Sequence, residues 1–244
     1  MSTWYVRAAG TNGDGSQASP WVGFSNVDWG WFDPDGGDTL VLDGDFSGDG
    51  DFEVGATFDA PTTLTFTPGT VVDRVKSNGR QNVVVQGPIT IDGAAAGVTL
   101  WANTTRNNDG CRILNVTTKN STSSGQGLSR SNSTDPTPAE FVELRGGYSE
   151  GDGQHGCYII GSYDGGQIRY STAVGSSAGA SGWGLYVAPG NIKVTSGWTL
   201  LGGTKYRREL TDGWNVKHIC ADGRTDAATG NTPYKFWLTE GTYG

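Results

Sequence analysis

The chain has 244 residues, enough for one domain or two, and a net charge of −8, which argues against general nucleic-acid binding because phosphate contacts need surplus Lys and Arg. Its 40 glycines follow no three-residue period and indicate many tight turns, and an aromatic content of 11% argues against disorder. We find no stretch apolar enough to span a membrane and no signal peptide at the start of the sequence. The lack of helix-like periodicity predicts an all-β protein.

Residues 1–38 do not repeat, and we expect them to form an N-terminal cap. Thr3 to Arg7 reads as a first strand, and the aromatic segment from Trp21 to Phe32 reads as a short helix or a set of turns. A stack of strands needs such a cap because its end would otherwise expose an apolar core and an unpaired strand edge.

From Thr39 onward, strand-like segments recur about every 25 residues. Their predicted starts are Thr39, Thr63, Ile89, Arg112, Phe141, Gln167, Asn191 and Asn215. A second set of strands, at 156–160 and 184–188, lies between them. Two strand types that alternate at one period are typical of a parallel β-solenoid. We therefore expect a single domain over 1–244, with roughly eight rungs between 39 and 220 and a C-terminal cap over 221–244.

One polar segment, residues 119–138, breaks this rhythm. It has no periodicity and is long for a turn, so we expect a loop insertion there. Insertions in solenoids often gather on the binding face, although a loop without a role is an equal alternative.

The cap residues carry a resemblance to a known superfamily. The quoted segments are Trp4-Tyr-Val-Arg-Ala-Ala-Gly-Thr-Asn-Gly-Asp-Gly, then Ser19-Pro-Trp, Val27-Asp-Trp and Gly37-Asp-Thr-Leu-Val-Leu-Asp-Gly. They resemble the pectate-lyase-like superfamily of right-handed parallel β-helix proteins, which includes polysaccharide lyases, glycoside hydrolases and phage tailspikes. The resemblance implies a right-handed parallel β-helix, and it identifies a fold better than a reaction. The Arg-x-Pro-x-x-Arg-type motif of the lyases is absent, so no catalytic residue is carried over.

A column of charged residues is the first candidate binding site. Because alternate residues of a strand face opposite ways, Val142 and Leu144 should face inward and Glu143 outward. The repeat then predicts one outward ladder of Glu143, Arg169, Lys193 and Lys217, with Arg145 on the same face. Stacked cations repel one another, and a uronate-rich polysaccharide would relieve that repulsion. A solvated charged face is the alternative.

Aromatic residues suggest a second binding surface. Tyr158 and Tyr186 should face outward on the second strand set, with Trp183 close by. Exposed aromatic rings suit the C–H faces of sugars. Stacking of these rings within the solenoid wall is the alternative.

The segment that holds Glu150, Asp152 and His155 is dense in ionisable groups. His155 is a candidate general acid or base because its pKa lies near neutrality, and Glu143 with Glu150 or Asp152 is the best available carboxylate pair for glycoside hydrolysis. A structural role for these residues at a corner of the solenoid is the alternative.

A turn rich in aspartate provides a candidate metal site. Asp43, Asp45, Asp49 and Asp51 lie close together in sequence, and such oxygen ligands suit Ca²⁺. The frame of an EF-hand fails, since the twelfth position counted from Asp45 is Ala56. Acidic turns at the rim of the first rung are the alternative, and we expect no required cofactor.

Two classes of function follow. The first is a bacteriophage virion protein, tailspike-like or on the capsid surface, which binds a host glycan or stabilises the particle with other virion proteins and is expected to be a homotrimer. The second is a secreted lyase or hydrolase of acidic polysaccharides whose leader was removed. The three cysteines, Cys111, Cys157 and Cys220, each lie in an apolar strand pattern and are expected to be buried free thiols.

Overall fold

The computed structural model describes residues 1–93, 97–101, 108–129, 142–153 and 155–160, followed by the short stretches 166–169, 172–174, 183–187, 193–194, 198–201, 206–208 and 219–221. Within these residues the regular structure consists of strands and two short 3₁₀ turns, at Phe24–Asn26 and Trp29–Trp31. The protein is therefore all-β, as the composition predicts.

The described residues form twenty strands. They are β1 (Thr3–Arg7), β2 (Trp21–Val22), β3 (Thr39–Asp43), β4 (Asp51–Glu53), β5 (Thr62–Phe66), β6 (Arg74–Lys76), β7 (Val83–Asp92), β8 (Val98–Trp101), β9 (Arg112–Lys119), β10 (Gln126–Ser129), β11 (Val142–Arg145), β12 (Tyr148–Glu150), β13 (His155–Ile160), β14 (Gly166–Arg169), β15 (Thr172–Val174), β16 (Trp183–Val187), β17 (Lys193–Val194), β18 (Trp198–Leu201), β19 (Tyr206–Arg208) and β20 (Ile219–Ala221).

These strands form two parallel sheets. The first sheet follows the order β2-β1-β3-β5-β7-β9-β12-β15-β18-β20, with β11, β14 and β17 paired beside this path, and the second follows β4-β6-β8-β10-β13-β16-β19. From β3 to β10 the strands alternate between the two sheets, and from β11 onward two consecutive strands of the first sheet, such as β11 and β12, come before each strand of the second. The predicted parallel pairing of two alternating strand sets is thereby confirmed.

The first sheet bends along a line of corner residues. β7 and β9 pair in two runs, separated by an irregularity between Gln86 and Ile89. At this corner Asn115 and Gly146 have positive φ angles of 55° and 65°. A Cβ on Gly146 would lie 2.2 Å from Oδ1 of Asn115, so glycine is needed both for the backbone turn and for this close stacking. The corner divides the sheet into a first arm, which includes β11 and β14, and a second arm, which includes β12 and β15.

The apolar core contains a continuous column of side chains from the first arm. Its members in rung order are Leu40, Leu64, Val85, Ile113 and Leu144, each at most 1% exposed. Burial of each such side chain contributes about 1.5–3 kcal/mol. Val142 and Leu144 are buried as the alternation predicts, and the backbone register continues the column through Ile168 and Val194.

The register differs from the prediction at the third rung. Thr39 pairs with Thr63 as expected, but Thr63 pairs with Val84, whereas Ile89 pairs with Val116 on the second arm. The apolar runs before and after the corner both resemble strands, and the repeat length alone does not distinguish them.

Part of the predicted insertion over 119–138 is a strand. Lys119 ends β9, and residues 126–129 form β10, which pairs with β8 and β13 in the second sheet. Gln126, with 0% exposure, occupies an inward position of that sheet, where its amide donates to the backbone oxygens of Val116 and Tyr148 at 3.2 and 3.0 Å. Because Gln126 is polar at a core position, β10 lacks the apolar alternation by which a strand is recognised in a sequence. Residues 130–138 lie outside the described part of the chain.

The N-terminal cap is a set of turns packed by aromatic rings, one of the two predicted forms. Trp4 stacks on Trp21 with ring centroids 5.6 Å apart, and Phe32 lies within 6.0 Å of Trp4 and 4.9 Å of Trp29. β1 pairs with β3 over its full length, so the first strand of the cap segment already belongs to the first sheet. The predicted C-terminal cap after residue 221 lies outside the described residues.

Candidate functional site: a basic wall on the first arm

The backbone register places Glu143, Arg169 and Lys193 on the first arm, offset by two residues from the predicted ladder. Glu143 pairs with Gln167, which pairs with Lys193, while Arg145 pairs with Arg169. The ladder therefore forms two adjacent columns instead of one. The offset of two residues equals one full period of the alternation along a strand.

Arg112 joins this surface, although the ladder predicted from the repeat does not include it. It pairs with Glu143 in the column that continues to Gln167 and Lys193. The signal was present in the sequence, since Arg112 alternates with the inward Ile113 as Glu143 alternates with Leu144. We call the set of Arg112, Arg145, Arg169 and Lys193 the basic wall; Lys217 lies outside the described residues.

Glu143 is buried in this wall, which corrects its predicted exposure. It is 4% exposed, and Nε of Arg145 lies 3.9 Å from its Oε1. Val84 and Leu114 face the same way as Glu143 and are each 6% exposed, so the outer face of the first arm is covered at these positions. The side chain of Arg145 remains 38% exposed. Arginine is therefore the accessible group at this point of the wall, and the carboxylate is not.

Tyr158 is also buried, at 6% exposure, and does not form the exposed sugar platform that was predicted. Its ring occupies the space above Gly127, its register partner on β10, where a Cβ would lie 2.3 Å from a ring carbon. Burial raises the pKa of Tyr158, and hydrogen bonds with the side chains of Thr99 and Ser124 oppose that rise. The ring of Tyr158 therefore packs against the neighbouring strand, in line with the alternative that these aromatic rings pack within the wall.

The other two aromatic candidates are placed by backbone register alone. Tyr186 pairs with Tyr158, and Trp183 pairs with His155, on the neighbouring strands β13 and β16. The predicted match of the two segments of the second strand set is thus confirmed. Their proposed contact with a sugar stays a prediction.

Asp152 is a buried structural carboxylate. It has 0% exposure and accepts hydrogen bonds from Thr118 Oγ1 at 2.8 Å, Ser149 Oγ at 2.7 Å and the backbone N–H of Ser121 at 2.9 Å. These bonds tie together the second arm and the turn that follows β9. A carboxylate that is held in this way has no access to a substrate.

Glu150 is accessible but paired. Its Oε2 lies 3.0 Å from Nζ of Lys119, its register partner on β9. The hydrogen bond to Glu150 raises the pKa of Lys119. Glu143 pairs with Arg112 seven residues earlier on β9, so the two glutamates lie on different arms. The predicted pair of catalytic carboxylates is not brought together. His155 lies in β13, with its side chain outside the described part of the structure.

The four aspartates of the candidate metal turn have separate partners. Asp43 accepts from Thr67 Oγ1 at 2.6 Å and pairs with Nε of Arg7 at 3.3 Å. Asp45 accepts from the backbone N–H of Ser47, the main cause of its lowered pKa, and Asp49 accepts from the backbone N–H of Phe24. Asp51 pairs with Lys76, and this hydrogen bond raises the pKa of the lysine.

These carboxylates do not converge, and no group of three or more His, Cys, Asp or Glu in the described residues could hold a metal ion. Cys111 and Cys157 are buried free thiols, as predicted, whereas the side chain of Cys220 lies outside the described residues. Burial raises the pKa of Cys111 to about 12.

Comparison with known protein families, with curated proteins and with solved structures finds no match for this chain. The likeness to the pectate-lyase-like superfamily therefore rests on the residues quoted for it. No helix in the described residues has the length and apolar character needed to cross a membrane. The basic wall is the best supported candidate site, since it combines accessible arginine with stacked positions for further cations.

Proposed function

We propose that the chain is a right-handed parallel β-helix whose basic wall binds an anionic glycan without cleaving it, as part of a phage particle. The single observation that carries the binding function is the register of Arg145 beside Arg169, next to a column that contains Arg112 and Lys193. The remaining steps concern the winding, the ligand, the lack of cleavage and the particle.

The winding is inferred from the order of the strands. Successive strands of each sheet are parallel, and the chain passes through the other sheet between them. Connections of this kind between parallel strands of one sheet are right-handed in about 98% of cases. A right-handed coil of rungs follows, in agreement with what the resemblance of the cap implies.

The ligand is inferred from charge. Arg145 and Arg169 occupy directly paired positions on neighbouring strands, about 4.8 Å apart. Like charges at this spacing are destabilising, and within the wall Glu143 supplies one carboxylate, 3.9 Å from Nε of Arg145. A carboxylate suits arginine in particular, because the guanidinium group can donate two parallel hydrogen bonds to it. A polymer with repeated carboxylates, such as a uronate-rich polysaccharide, matches stacked arginine positions.

The lack of cleavage is inferred from the carboxylates. Hydrolysis of a glycosidic bond needs two carboxyl groups about 5–10 Å apart on either side of the bond. Glu143 and Asp152 are buried, and Glu150 is paired with Lys119 on the other arm. These side chains stabilise the wall and are poorly placed for acid and base chemistry on a bound sugar.

The placement on a phage particle rests on the resemblance of the cap, since that superfamily includes tailspikes. A homotrimer is the expected assembly for such a protein. The alternative, a lyase or hydrolase that acts on the same acidic polysaccharide, would use the same wall and differs in the products that it releases.

The test is a panel of four polysaccharides: polygalacturonate, alginate, heparin and neutral dextran. Calorimetry measures binding of each at two salt concentrations, and the same mixtures are then assayed for unsaturated products by absorbance and for new reducing ends. We expect at least one uronate polymer to bind, more weakly at high salt, with no product and no binding of dextran. Light scattering of the full chain is expected to give a trimer.

Two results would overturn this proposal. Release of shortened chains from any acidic polymer by a monomeric protein would establish the enzymatic alternative. Failure of every anionic polymer to bind would remove the basic wall as a glycan site.

A further inference from the structure

Trp31 is the exposed aromatic side chain of the cap. It is 54% exposed, whereas Trp21 and Phe32 are buried, and Trp4 and Trp29 are half-buried. A single exposed apolar residue is common in soluble proteins and indicates nothing by itself. The way in which this indole is held, and the charges beside it, distinguish it from an ordinary surface residue.

The backbone of Trp31 is fixed by a short capped turn. It belongs to the 3₁₀ turn Trp29–Trp31, and its N–H donates to the backbone oxygen of Asp28 at 3.2 Å. The side chain of Asp28 caps the same turn by accepting from the N–H of Gly30 at 3.0 Å. The turn therefore presents the indole from an ordered segment.

The ring of Trp31 is held by Trp4 and, through it, by Asp38. Trp4 and Trp31 meet edge to face, with centroids 5.5 Å apart and an interplanar angle of 89°. Nε1 of Trp4 donates to Oδ2 of Asp38 at 3.2 Å, and Asp38, which is 2% exposed, also accepts from the N–H of Asp33 at 3.1 Å. A side chain already held in place loses little rotational freedom when a partner binds.

The charge around Trp31 is negative. Residues 1–38 contain five aspartates and one arginine, with no Lys or Glu; Arg7 pairs with Asp43, and the N-terminal amine lies 3.9 Å from Asp38. Asp33 and Asp35 follow Trp31 closely and are both exposed. Among the described residues no cation lies within ion-pair distance of either carboxylate. Oδ1 of Asp33 accepts from the backbone N–H of Asp35 at 2.9 Å, so this turn carries an exposed indole and two exposed carboxylates without a cationic partner in the described residues.

We propose that Trp31, Asp33 and Asp35 form a docking surface for an arginine-containing segment of another protein. A guanidinium group can stack on the face of an indole and donate hydrogen bonds to a carboxylate at the same time. Tryptophan and arginine are also the residues that most often dominate the energy of protein interfaces. An anionic glycan is disfavoured by the aspartates, so this surface is separate from the basic wall and does not depend on the function proposed for that wall.

The test follows the indole N–H signal of Trp31 by NMR in the full chain, with the signal assigned from the Trp31→Phe variant. The probe is a synthetic decapeptide of alternating glycine and arginine, and the matched probe has citrulline, which is uncharged, in place of each arginine. We expect the arginine peptide to shift the Trp31 signal and the citrulline peptide to leave it unchanged.

Variants then separate this surface from general attraction to an acidic protein. Affinity is measured by calorimetry, because Trp31→Ala lacks the indole signal, and this substitution should weaken peptide binding about tenfold, as removal of a dominant interface residue does. Asp33→Asn with Asp35→Asn should weaken it about threefold, in the range of exposed ion pairs. Val71→Ala, which removes another exposed apolar side chain, should leave the affinity unchanged, and Arg145→Gln should not affect it either.

Three outcomes would overturn the proposal. The first is no shift of the Trp31 signal by the arginine peptide. The second is equal binding of the citrulline peptide, or binding that survives the Trp31 and aspartate substitutions. The third is a shift of Trp31 by neutral maltohexaose without one by the peptide, which would make the surface a sugar site. Signals elsewhere in the spectrum report whether each variant is folded.

Discussion

Tyr158 lies across Gly127, its register partner on the neighbouring strand, and its ring fills the space that a side chain on Gly127 would need. This relationship explains two features of the second sheet together. Because residue 127 is glycine, β10 lacks the side-chain pattern of a typical strand. Tyr158 is buried although it lies on the outer face of the sheet. The pair is therefore part of the packing of the sheet.

We predict that Gly127→Ala destabilises the protein, because a Cβ would lie 2.3 Å from the ring of Tyr158. Overpacking of this kind costs about 1–3 kcal/mol. Urea unfolding, followed by circular dichroism, measures the change in the free energy of unfolding. In a Tyr158→Ala background the same glycine substitution should cost much less, since the ring is gone.

Gly48 provides the matched control for this substitution. A Cβ at Gly48 would have no heavy atom within 4 Å, so Gly48→Ala should be neutral or slightly stabilising. Equal destabilisation by the two substitutions would show that the contact between Gly127 and Tyr158 is not the cause.

We predict that Asp152→Asn destabilises the protein without any effect on glycan binding. The substitution removes a buried charge that accepts three hydrogen bonds, at an expected cost of about 1–3 kcal/mol. Glu150→Gln, at the accessible carboxylate nearby, should leave the midpoint of urea unfolding unchanged. A loss of glycan binding or turnover in Asp152→Asn, with normal stability, would instead place Asp152 in a functional site.

Alkaline pH should destabilise the protein partly through Cys111. Its pKa is raised by burial from its ordinary value near 9.0 to about 12. Between these values the unfolded chain releases the thiol proton and the folded chain keeps it, so stability falls as pH rises, by at most about 1.4 kcal/mol per pH unit for one group. Cys111→Ala should reduce the slope of unfolding free energy against pH above pH 9. An identical slope in the two proteins would contradict the prediction.

Acid should loosen the cap through Asp38. Burial alone would raise the pKa of this carboxyl, but hydrogen bonds from the backbone N–H groups of Ser2 and Asp33 and from Trp4 Nε1 lower it. A lowered pKa means that its contribution to stability is present above the ordinary value of 3.8 and is lost as pH falls through the folded value.

Asp38→Asn should therefore reduce stability near neutral pH by about 1–3 kcal/mol and make the remaining stability less sensitive to acid. The chemical shift of the Trp31 indole N–H should also change, because Asp38 holds Trp4 and Trp4 holds Trp31. An unchanged Trp31 signal together with unchanged acid sensitivity would show that Asp38 does not organise the cap.

The strand repeat was readable in the sequence because the inward side chains are apolar at a regular interval. Leu40, Leu64 and Leu144 carry that signal, and the structure places them in one buried column. The exact rung register was not readable, since the apolar runs around Val84 and Ile89 lie on either side of a corner and both resemble strands.

The candidate site was predicted in its face and charge but not in its details. A two-residue error in register left Arg145 and Arg169 on the same arm, at directly paired backbone positions. The burial of Glu143 and Tyr158 could not be predicted, since alternation indicates the direction of a side chain but not what covers it. Trp31 was missed because exposure of one tryptophan among several has no sequence pattern.

The most direct test of the basic wall compares the affinity of the wild-type chain and Arg145→Gln for one polygalacturonate dodecasaccharide, measured by calorimetry over a series of salt concentrations. We expect weaker binding by the variant, with a shallower dependence on salt, and no shortening of the oligosaccharide by either protein. Equal affinity and equal salt dependence, or cleavage of the oligosaccharide by the wild-type chain, would contradict it.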